Sequence, residues 1–152
     1  PYTLMLSIAK VAEKLQPQNP NWFLGADIAV LATDIAAQMV ETGRRGVYPA
    51  QRIEPVDPML RKRWFDPVGG DFRVSERMRA MITFRQLNLF NAWPMKGSFD
   101  VIICRNVMIY FGPDERAALE NRFIDQLSAN GHLIIGHSER ICERARQRLT
   151  SC

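Results

Sequence analysis

The run FDVIICRNVMIYF, residues 99–111, is the most informative stretch of this 152-residue chain. Its first half, FDVIICR, 99–105, has the clearest pattern of a buried β-strand in the chain. Its second half places Arg105 and Asn106 directly after that strand, ahead of an apolar turn that contains Tyr110. Because ligands bind at the carboxyl ends of the strands in open α/β sheets, this junction is a candidate binding site.

Further strands and helices are predicted on either side of this run. Short apolar runs predict strands, and amphipathic periodicity predicts helices. The run DIAVLAT, 27–33, is nearly continuous in apolar residues, which is typical of a strand buried on both faces of a parallel sheet. The predicted strands are 27–33, 81–87 and 132–137, and the predicted helices are 1–15, 35–43 and 113–129. Strands that alternate with helices in this way are typical of an α/β fold with a parallel sheet.

Two local patterns add detail to the predicted helices. In the first helix, apolar side chains at helical spacing predict the buried face, which consists of Leu4, Ile8, Val11 and Leu15. After the last helix, Asn130–Gly131 is a C-cap signal, which predicts that the helix ends there. The predicted strand 132–137 then follows this cap directly.

Residues 47–80 differ in character from the rest of the chain. Several prolines interrupt the regular patterns, MLRKRWF is compatible with a short helix, and VGGDFRV has the pattern of a hairpin with Gly69, Gly70 and Asp71 as its turn. We therefore interpret residues 47–80 as an inserted β-subdomain of a main domain formed by 1–46 and 81–140. Residues 141–152 form an atypical, arginine-rich tail.

Composition restricts the class of protein. With 47% hydrophobic and 24% charged residues, the chain has globular rather than disordered composition. Its net charge is +4, but no basic stripe alternates with stacking aromatics, so we expect no nucleic-acid partner. The three cysteines lack CxxC spacing and a nearby His pair, which predicts no metal site and fits a reducing cytoplasm. No apolar run reaches membrane-span length, so membrane insertion is not expected.

Polar residues follow several of the predicted strands, and each has an ordinary alternative role. The two oxygens of Asp34 match both hydroxyls of a ribose, although capping the next helix is the commoner role for Asp at such a place. The alternatives are a surface ion pair for Arg105, a helix cap for Asn106 and simple packing for Tyr110. Cys104 is expected to be a small buried hydrophobe. The other polar residues at predicted strand ends are Asn88, His137, Ser138 and Glu139.

The run 99–111 closely resembles the signature of the CheR-type chemotaxis receptor methyltransferases. Other pieces agree in order and spacing: PYTLML at the start, ATDI at 32–35, GVYP at 46–49, LNLF at 87–90 and GHSER at 136–140. The resemblance covers residues 1–140. It implies a Rossmann-like, class I sheet of the methyltransferases that depend on S-adenosylmethionine, with a small inserted β-subdomain that contacts the receptor.

The same resemblance implies a protein-glutamate O-methyltransferase. Such an enzyme uses S-adenosylmethionine to convert glutamates of chemoreceptors into γ-methyl esters, as a carboxylate oxygen displaces the sulfur from the methyl carbon. The matching positions imply ribose binding by Asp34, adenine contacts by Asn88 and Leu89, a cofactor pocket along Arg105 and Asn106, and catalytic roles for Tyr110 and Arg105. We expect a cytoplasmic monomer whose protein partner is a methyl-accepting receptor.

The family pattern also contains pieces that these residues do not include. They are a glycine-containing cofactor loop with its preceding strand, and an N-terminal helical domain. We therefore expect a partial sequence, inactive alone, whose sheet lacks its first strand; the implied order 3-2-1-4-5 places that strand between 27–33 and 99–104. Two other functions remain open, a non-catalytic cofactor- or receptor-binding remnant and a small-molecule methyltransferase. The insertion at 47–80 argues against the latter.

Overall fold

A computed structural model describes residues 1–15, 17–19, 24 and 27–149 of the chain. The last three residues of the predicted tail, which include Cys152, lie outside the described residues. The chain divides into two compact units, Pro1–Asn88 and Leu89–Cys152. Each unit contains its own cluster of buried apolar residues. In the described part of the chain, every helix is too short or too polar to cross a lipid bilayer.

The helices and strands follow one another along the chain in both units. The first unit contains α1 (Tyr2–Leu15), β1 (Val30–Asp34), α2 (Ala37–Arg45), β2 (Val47–Pro49), α3 (Ala50–Ile53), α4 (Pro58–Trp64), β3 (Phe65–Val68), β4 (Asp71–Val74), α5 (Glu76–Ala80) and β5 (Ile82–Gln86). The second contains β6 (Phe99–Cys104), a 3-10 turn (Met108–Tyr110), α6 (Pro113–Gln126), β7 (Leu127–Ile135) and α7 (Glu143–Arg146).

Strands β1 and β5 form a parallel pair, as the sequence predicts. Asp34, the last residue of β1, lies opposite Gln86, the last residue of β5. Only Ala32 of β1 is buried, so the expectation that this strand is buried on both faces is wrong. After β1 the chain enters α2, which ends at Gly46 in the left-handed conformation with φ 63°.

A second, antiparallel sheet has the strand order β2-β4-β3. Its β3–β4 hairpin turns at Gly69 and Gly70, whose positive φ values of 57° and 89° suit a tight two-residue turn. The predicted hairpin is confirmed, except that Asp71 belongs to β4, opposite Val68. Side chains of this sheet pack in the same apolar cluster as side chains of α1, β1 and β5. The interpretation of residues 47–80 as a separate subdomain stays a prediction.

Helix α1 buries a different face from the one that its aliphatic spacing predicts. Val11 and Leu15 from the predicted stripe are 53% and 69% exposed. The small side chains of two alanines allow close packing on the neighbouring face, and the Tyr2 hydroxyl donates a hydrogen bond of 2.8 Å to the Gly43 carbonyl. Among the described side chains of α1, the buried ones are Tyr2, Met5, Ala9 and Ala12.

In the second unit, β6 and β7 form another parallel pair. One face of this pair packs with side chains of α6, among them Leu119 and Phe123. On the other face, Val101 and Ile103 are 48% and 43% exposed. The expectation that β6 is a buried strand therefore holds for one face only, because apolar side chains of this unit cover only one side of it.

Helix α6 ends at Gln126, earlier than predicted, and β7 runs through Asn130 and Gly131. The predicted C-cap at Asn130–Gly131 is therefore wrong. Between two successive pairing points β7 contains more residues than β6, so a bulge lies here. A Cβ added at Gly131 would lie 2.9 Å from the Phe99 carbonyl oxygen, so the close approach of two strands explains this glycine.

The strand order 3-2-1-4-5 that the family resemblance implies stays a prediction. Within the described residues, β1 pairs only with β5, and β6 pairs only with β7. In the order 3-2-1-4-5, these are the neighbours on either side of the first strand. The structure shows a mixed α/β chain with small sheets.

Candidate functional site

Asp34 lies at the carboxyl end of β1 and is exposed. One of its carboxylate oxygens, Oδ1, accepts a hydrogen bond of 2.8 Å from the Ala36 N–H in a short Asx turn. The N-cap of α2 is Ala36 and lacks a side-chain cap, so the helix-cap interpretation of Asp34 is wrong. Within the described part of the chain, Oδ2 has no hydrogen bond, so this carboxylate can still accept the hydroxyls of a vicinal diol.

Asn88 and Leu89 lie at the boundary of the two units, and Asn88 follows β5 by two residues. The Leu89 carbonyl accepts two side-chain hydrogen bonds, from Trp93 Nε1 at 3.0 Å and from Arg122 Nη1 at 2.6 Å. The Arg122 guanidinium also lies 4.3 Å above the Trp93 ring. These contacts fix the backbone at Leu89 against helix α6.

The turn after β6, residues 105–111, presents polar side chains to solvent. Arg105 and Asn106 are exposed, and Asn106 has a left-handed φ of 59°. The short 3-10 turn that follows buries Met108 completely and leaves Tyr110 79% exposed. We call residues 105–111 the β6 turn.

The ordinary alternatives for these residues do not hold. Tyr110 is too exposed to be a packing residue. The 3-10 turn begins after Val107 without any side-chain cap, so Asn106 is not a helix cap. In the described ranges Arg105 makes no ion pair with a carboxylate. All three side chains are therefore available to a ligand.

Glu139 caps the β6 turn from the neighbouring strand. Its carboxylate oxygen Oε1 accepts hydrogen bonds from the N–H groups of Val107 at 3.2 Å and Met108 at 2.9 Å. Its Oε2 accepts from Asn106 at 3.1 Å and Gly136 at 2.6 Å. Burial alone would raise the pKa of Glu139, but the four backbone N–H groups outweigh it and hold this pKa below its usual range. Sequence reasoning located Glu139 at a strand end but did not reveal this role.

Helix α6 holds the segment that follows Glu139. The fully buried Glu120 accepts hydrogen bonds from Arg116 Nε at 3.2 Å and from the Cys142 N–H at 2.8 Å. The Arg116 guanidinium also donates to the carbonyl of Arg140. Residues 136–142 are thus fixed on one side to the β6 turn and on the other to α6.

The predicted site residues are divided between the two units. Asp34 and Asn88 belong to the first unit, and the other four belong to the second. Within the second, Leu89 packs against the same apolar cluster as residues of the β6 turn, and the Phe90 and Phe111 rings meet edge to face at 4.8 Å. The four site residues of the second unit are Leu89, Arg105, Asn106 and Tyr110.

Cys104, at the end of β6, is buried as predicted. Burial, and secondly the nearby charge of Glu139, raise the pKa of its thiol to about 11. A thiol with such a pKa stays protonated at neutral pH and is a poor nucleophile. Cys104 is therefore a packing residue beneath the β6 turn.

Comparison with known proteins identifies one family. The family model described as "CheR methyltransferase, SAM binding domain" matches residues 1–152. Among similar proteins, "Probable chemotaxis protein methyltransferase" of Rhizobium etli is 39% identical over 150 residues, covering 96% of this chain and 53% of the relative. "Chemotaxis protein methyltransferase 2" of Pseudomonas aeruginosa is 34% identical over 144 residues, covering 91% and 48%. "Chemotaxis protein methyltransferase" of Borreliella burgdorferi is 35% identical over 143 residues, covering 93% and 48%. The chain thus spans about half the length of these curated relatives.

Proposed function

Because the chain belongs to the CheR methyltransferase family, through its S-adenosylmethionine-binding domain, we propose that the whole protein methylates glutamate side chains of chemotaxis receptors. The products are glutamate γ-methyl esters. The observation that carries this proposal is the family match over residues 1–152, supported by relatives that are named chemotaxis protein methyltransferases.

The finer fold follows from the same membership. We propose a Rossmann-like methyltransferase fold for the complete domain, with residues 47–80 as its inserted β-subdomain. The parallel pairs β1-β5 and β6-β7 support it, because they correspond to strands 2-3 and 4-5 of that fold.

The cofactor roles rest on chemistry that the described residues can supply. Asp34 is proposed to bind the ribose, since its exposed carboxylate has lone pairs left for both hydroxyls. Leu89 and Asn88 are proposed to contact the adenine. Asn106 and Arg105 are proposed to line the pocket, which their exposure at a strand end supports. When bound, S-adenosylmethionine supplies an activated methyl group.

Catalysis in this proposal needs alignment rather than a strong base. A glutamate substrate is already ionised at neutral pH, so no residue of the chain has to remove a proton from it. Tyr110, with its exposed hydroxyl, is proposed to orient the substrate carboxylate by a hydrogen bond, and the cationic Arg105 to attract it. Exclusion of water from the carboxylate would increase its reactivity further.

The receptor is proposed to meet a basic surface. Helix α4 in the 47–80 region contains three consecutive cations, Arg61, Lys62 and Arg63. Such a surface suits an acidic substrate segment by charge complementarity. We further propose that the protein works in the cytoplasm as a monomer, a location that the absence of a disulfide framework from its sequence supports.

A substrate comparison tests this function. The protein encoded by the complete open reading frame is incubated with chemoreceptor-bearing membranes and with S-adenosylmethionine that carries a labelled methyl group. We expect label on receptor glutamates that mild base releases as methanol. Cofactor binding without transfer would favour a non-catalytic remnant, and transfer to a free small carboxylic acid alone would favour a small-molecule methyltransferase.

A further inference from the structure

We propose that Glu139 is a positioning residue for the methyltransferase site, because its carboxylate joins the β6 turn to the end of β7. The inference rests on the proposed function, since it assumes that Asn106 and its neighbours contact S-adenosylmethionine. Glu139 touches neither cofactor nor substrate in this proposal. It acts through the backbone of residues 106–108.

The geometry favours a carboxylate over any other side chain at this position. Each of its two oxygens accepts two backbone N–H groups, at distances between 2.6 and 3.2 Å. A 3-10 turn leaves its first N–H groups without backbone partners, and Asn106 at φ 59° is in the left-handed region, which few residues other than glycine and asparagine adopt. One buried anion therefore both satisfies these donors and stabilises the unusual conformation.

Residues 136–142 hold Glu139 rigidly enough to serve this purpose. Gly136 donates to the same carboxylate, and the Glu139 N–H donates a hydrogen bond of 2.9 Å to the Gly136 carbonyl, closing a tight turn. Beyond it, Arg116 and Glu120 of α6 bind the backbone of Arg140 and Cys142. The carboxylate is thus presented from a fixed segment rather than from a free side chain.

Gly136 provides an independent way to disturb this contact. A Cβ added there would lie 2.6 Å from Glu139 Oε2 and 2.7 Å from Asn106 Oδ1. Its φ is not in the positive range, so the backbone itself accepts alanine. Gly136→Ala should therefore displace the carboxylate from the turn while leaving every charge in place.

The test compares three variants in the complete open reading frame. In Glu139→Gln an amide NH2 replaces one oxygen and faces two N–H donors, so half of the contacts are lost. Asp125→Asn is the matched control, because it also converts a carboxylate of the same unit to an amide, but Asp125 pairs with Arg148 and has no described contact with residues 106–108 or 136–142. Two readouts are taken: S-adenosylmethionine affinity by calorimetry, and hydrogen–deuterium exchange of the peptide that contains the β6 turn.

We expect Glu139→Gln and Gly136→Ala each to weaken S-adenosylmethionine binding by about 10–100-fold, and to speed amide exchange in the β6 turn. The double variant should lose no more affinity than the worse single variant, because both changes disturb the same contact, that of the Glu139 carboxylate with the β6 turn. Asp125→Asn should keep the affinity within about threefold, because the exposed ion pair that it removes lies outside the segments that position Glu139. If Glu139→Gln does not fold, Gly136→Ala decides through amide exchange of residues 106–108 rather than through affinity, because its Cβ also displaces the Asn106 side chain, which itself lines the proposed pocket.

Two results would overturn the inference while the proposed function stands. One is wild-type affinity in Glu139→Gln and Gly136→Ala; the other is an equal loss in Asp125→Asn, which would indicate a general effect of removing a carboxylate charge. A wild-type protein that binds no S-adenosylmethionine would remove the proposed function and this inference together. The wild-type measurement therefore separates the two failures.

Discussion

Arg122 offers a test of how firmly the segment at Leu89 is held. Its guanidinium donates to the Leu89 carbonyl at 2.6 Å and to the Asn91 carbonyl at 2.5 Å, and it stacks on Trp93. Hydrogen bonds from a charged donor contribute about 1.5–3 kcal/mol each when buried. The Asn91 contact is exposed, so solvent screening reduces its value.

The expected loss for Arg122→Ala is therefore about 2–3 kcal/mol in the free energy of unfolding, including about 0.5–1 kcal/mol from the contact with Trp93. Arg122→Lys keeps the charge but cannot donate two parallel hydrogen bonds, so it should recover only part of this loss. Because Leu89 is proposed to contact the adenine, both variants should also weaken S-adenosylmethionine binding.

Urea denaturation of the protein encoded by the complete open reading frame measures the change in the free energy of unfolding. Calorimetry measures the change in S-adenosylmethionine binding. Arg146→Ala is the control, because Arg146 is an exposed arginine of the same unit whose side chain makes no described contact. The control should change stability by less than about 0.5 kcal/mol. A loss in Arg122→Ala no larger than that of the control would refute the reasoning.

Three further outcomes follow from exposure and charge. Asp34→Ala should weaken S-adenosylmethionine binding by about 1.5–3 kcal/mol in calorimetry, whereas unchanged affinity would remove the ribose assignment. Tyr110→Phe should leave thermal stability unchanged, because Tyr110 is 79% exposed, and should lower the rate of methyl transfer; an unchanged rate would exclude a role for the hydroxyl. Since the raised pKa of Cys104, about 11, means that thiolate forms only as the pH approaches that value, its alkylation at neutral pH should be slower than that of the half-buried Cys142. Peptide mass spectrometry that finds equal rates would contradict this.

The strands and their parallel pairing could be predicted from sequence because short apolar runs between helical patterns are compatible with few structures besides strands. Their burial could not be predicted. The run that contains Val101 and Ile103 is as apolar as a strand covered on both faces, yet those side chains are substantially exposed. A continuous apolar run indicates a strand, whereas the layers packed against it depend on distant parts of the chain.

The buried face of α1 and the end of α6 show a second limit. In α1, two stripes have helical spacing, and the buried one contains Ala9 and Ala12 rather than Val11 and Leu15. Small residues allow close packing, a property that hydrophobicity alone does not rank. Asn130–Gly131 is a good cap signal, but here the glycine serves a close approach between strands.

The parts of the candidate site that consist of side chains directly after a strand could be predicted from sequence. The part that depends on hydrogen bonds to backbone N–H groups could not. Arg105 and Asn106 could be located from the strand that precedes them. The role of Glu139 depends on N–H groups some thirty residues earlier, which no local pattern reveals. A glutamate shortly after a glycine at a strand end is the one signal that the sequence contains.

Methylation of receptor glutamates is tested most directly with the protein encoded by the complete open reading frame. Methyl transfer to chemoreceptors is measured as base-labile label and mapped by peptide mass spectrometry. We expect labelled glutamates in receptor peptides, with label dependent on S-adenosylmethionine and reduced in Asp34→Ala. Binding of S-adenosylmethionine with no labelled receptor glutamate, under conditions where a known member of the family labels the same membranes, would contradict it.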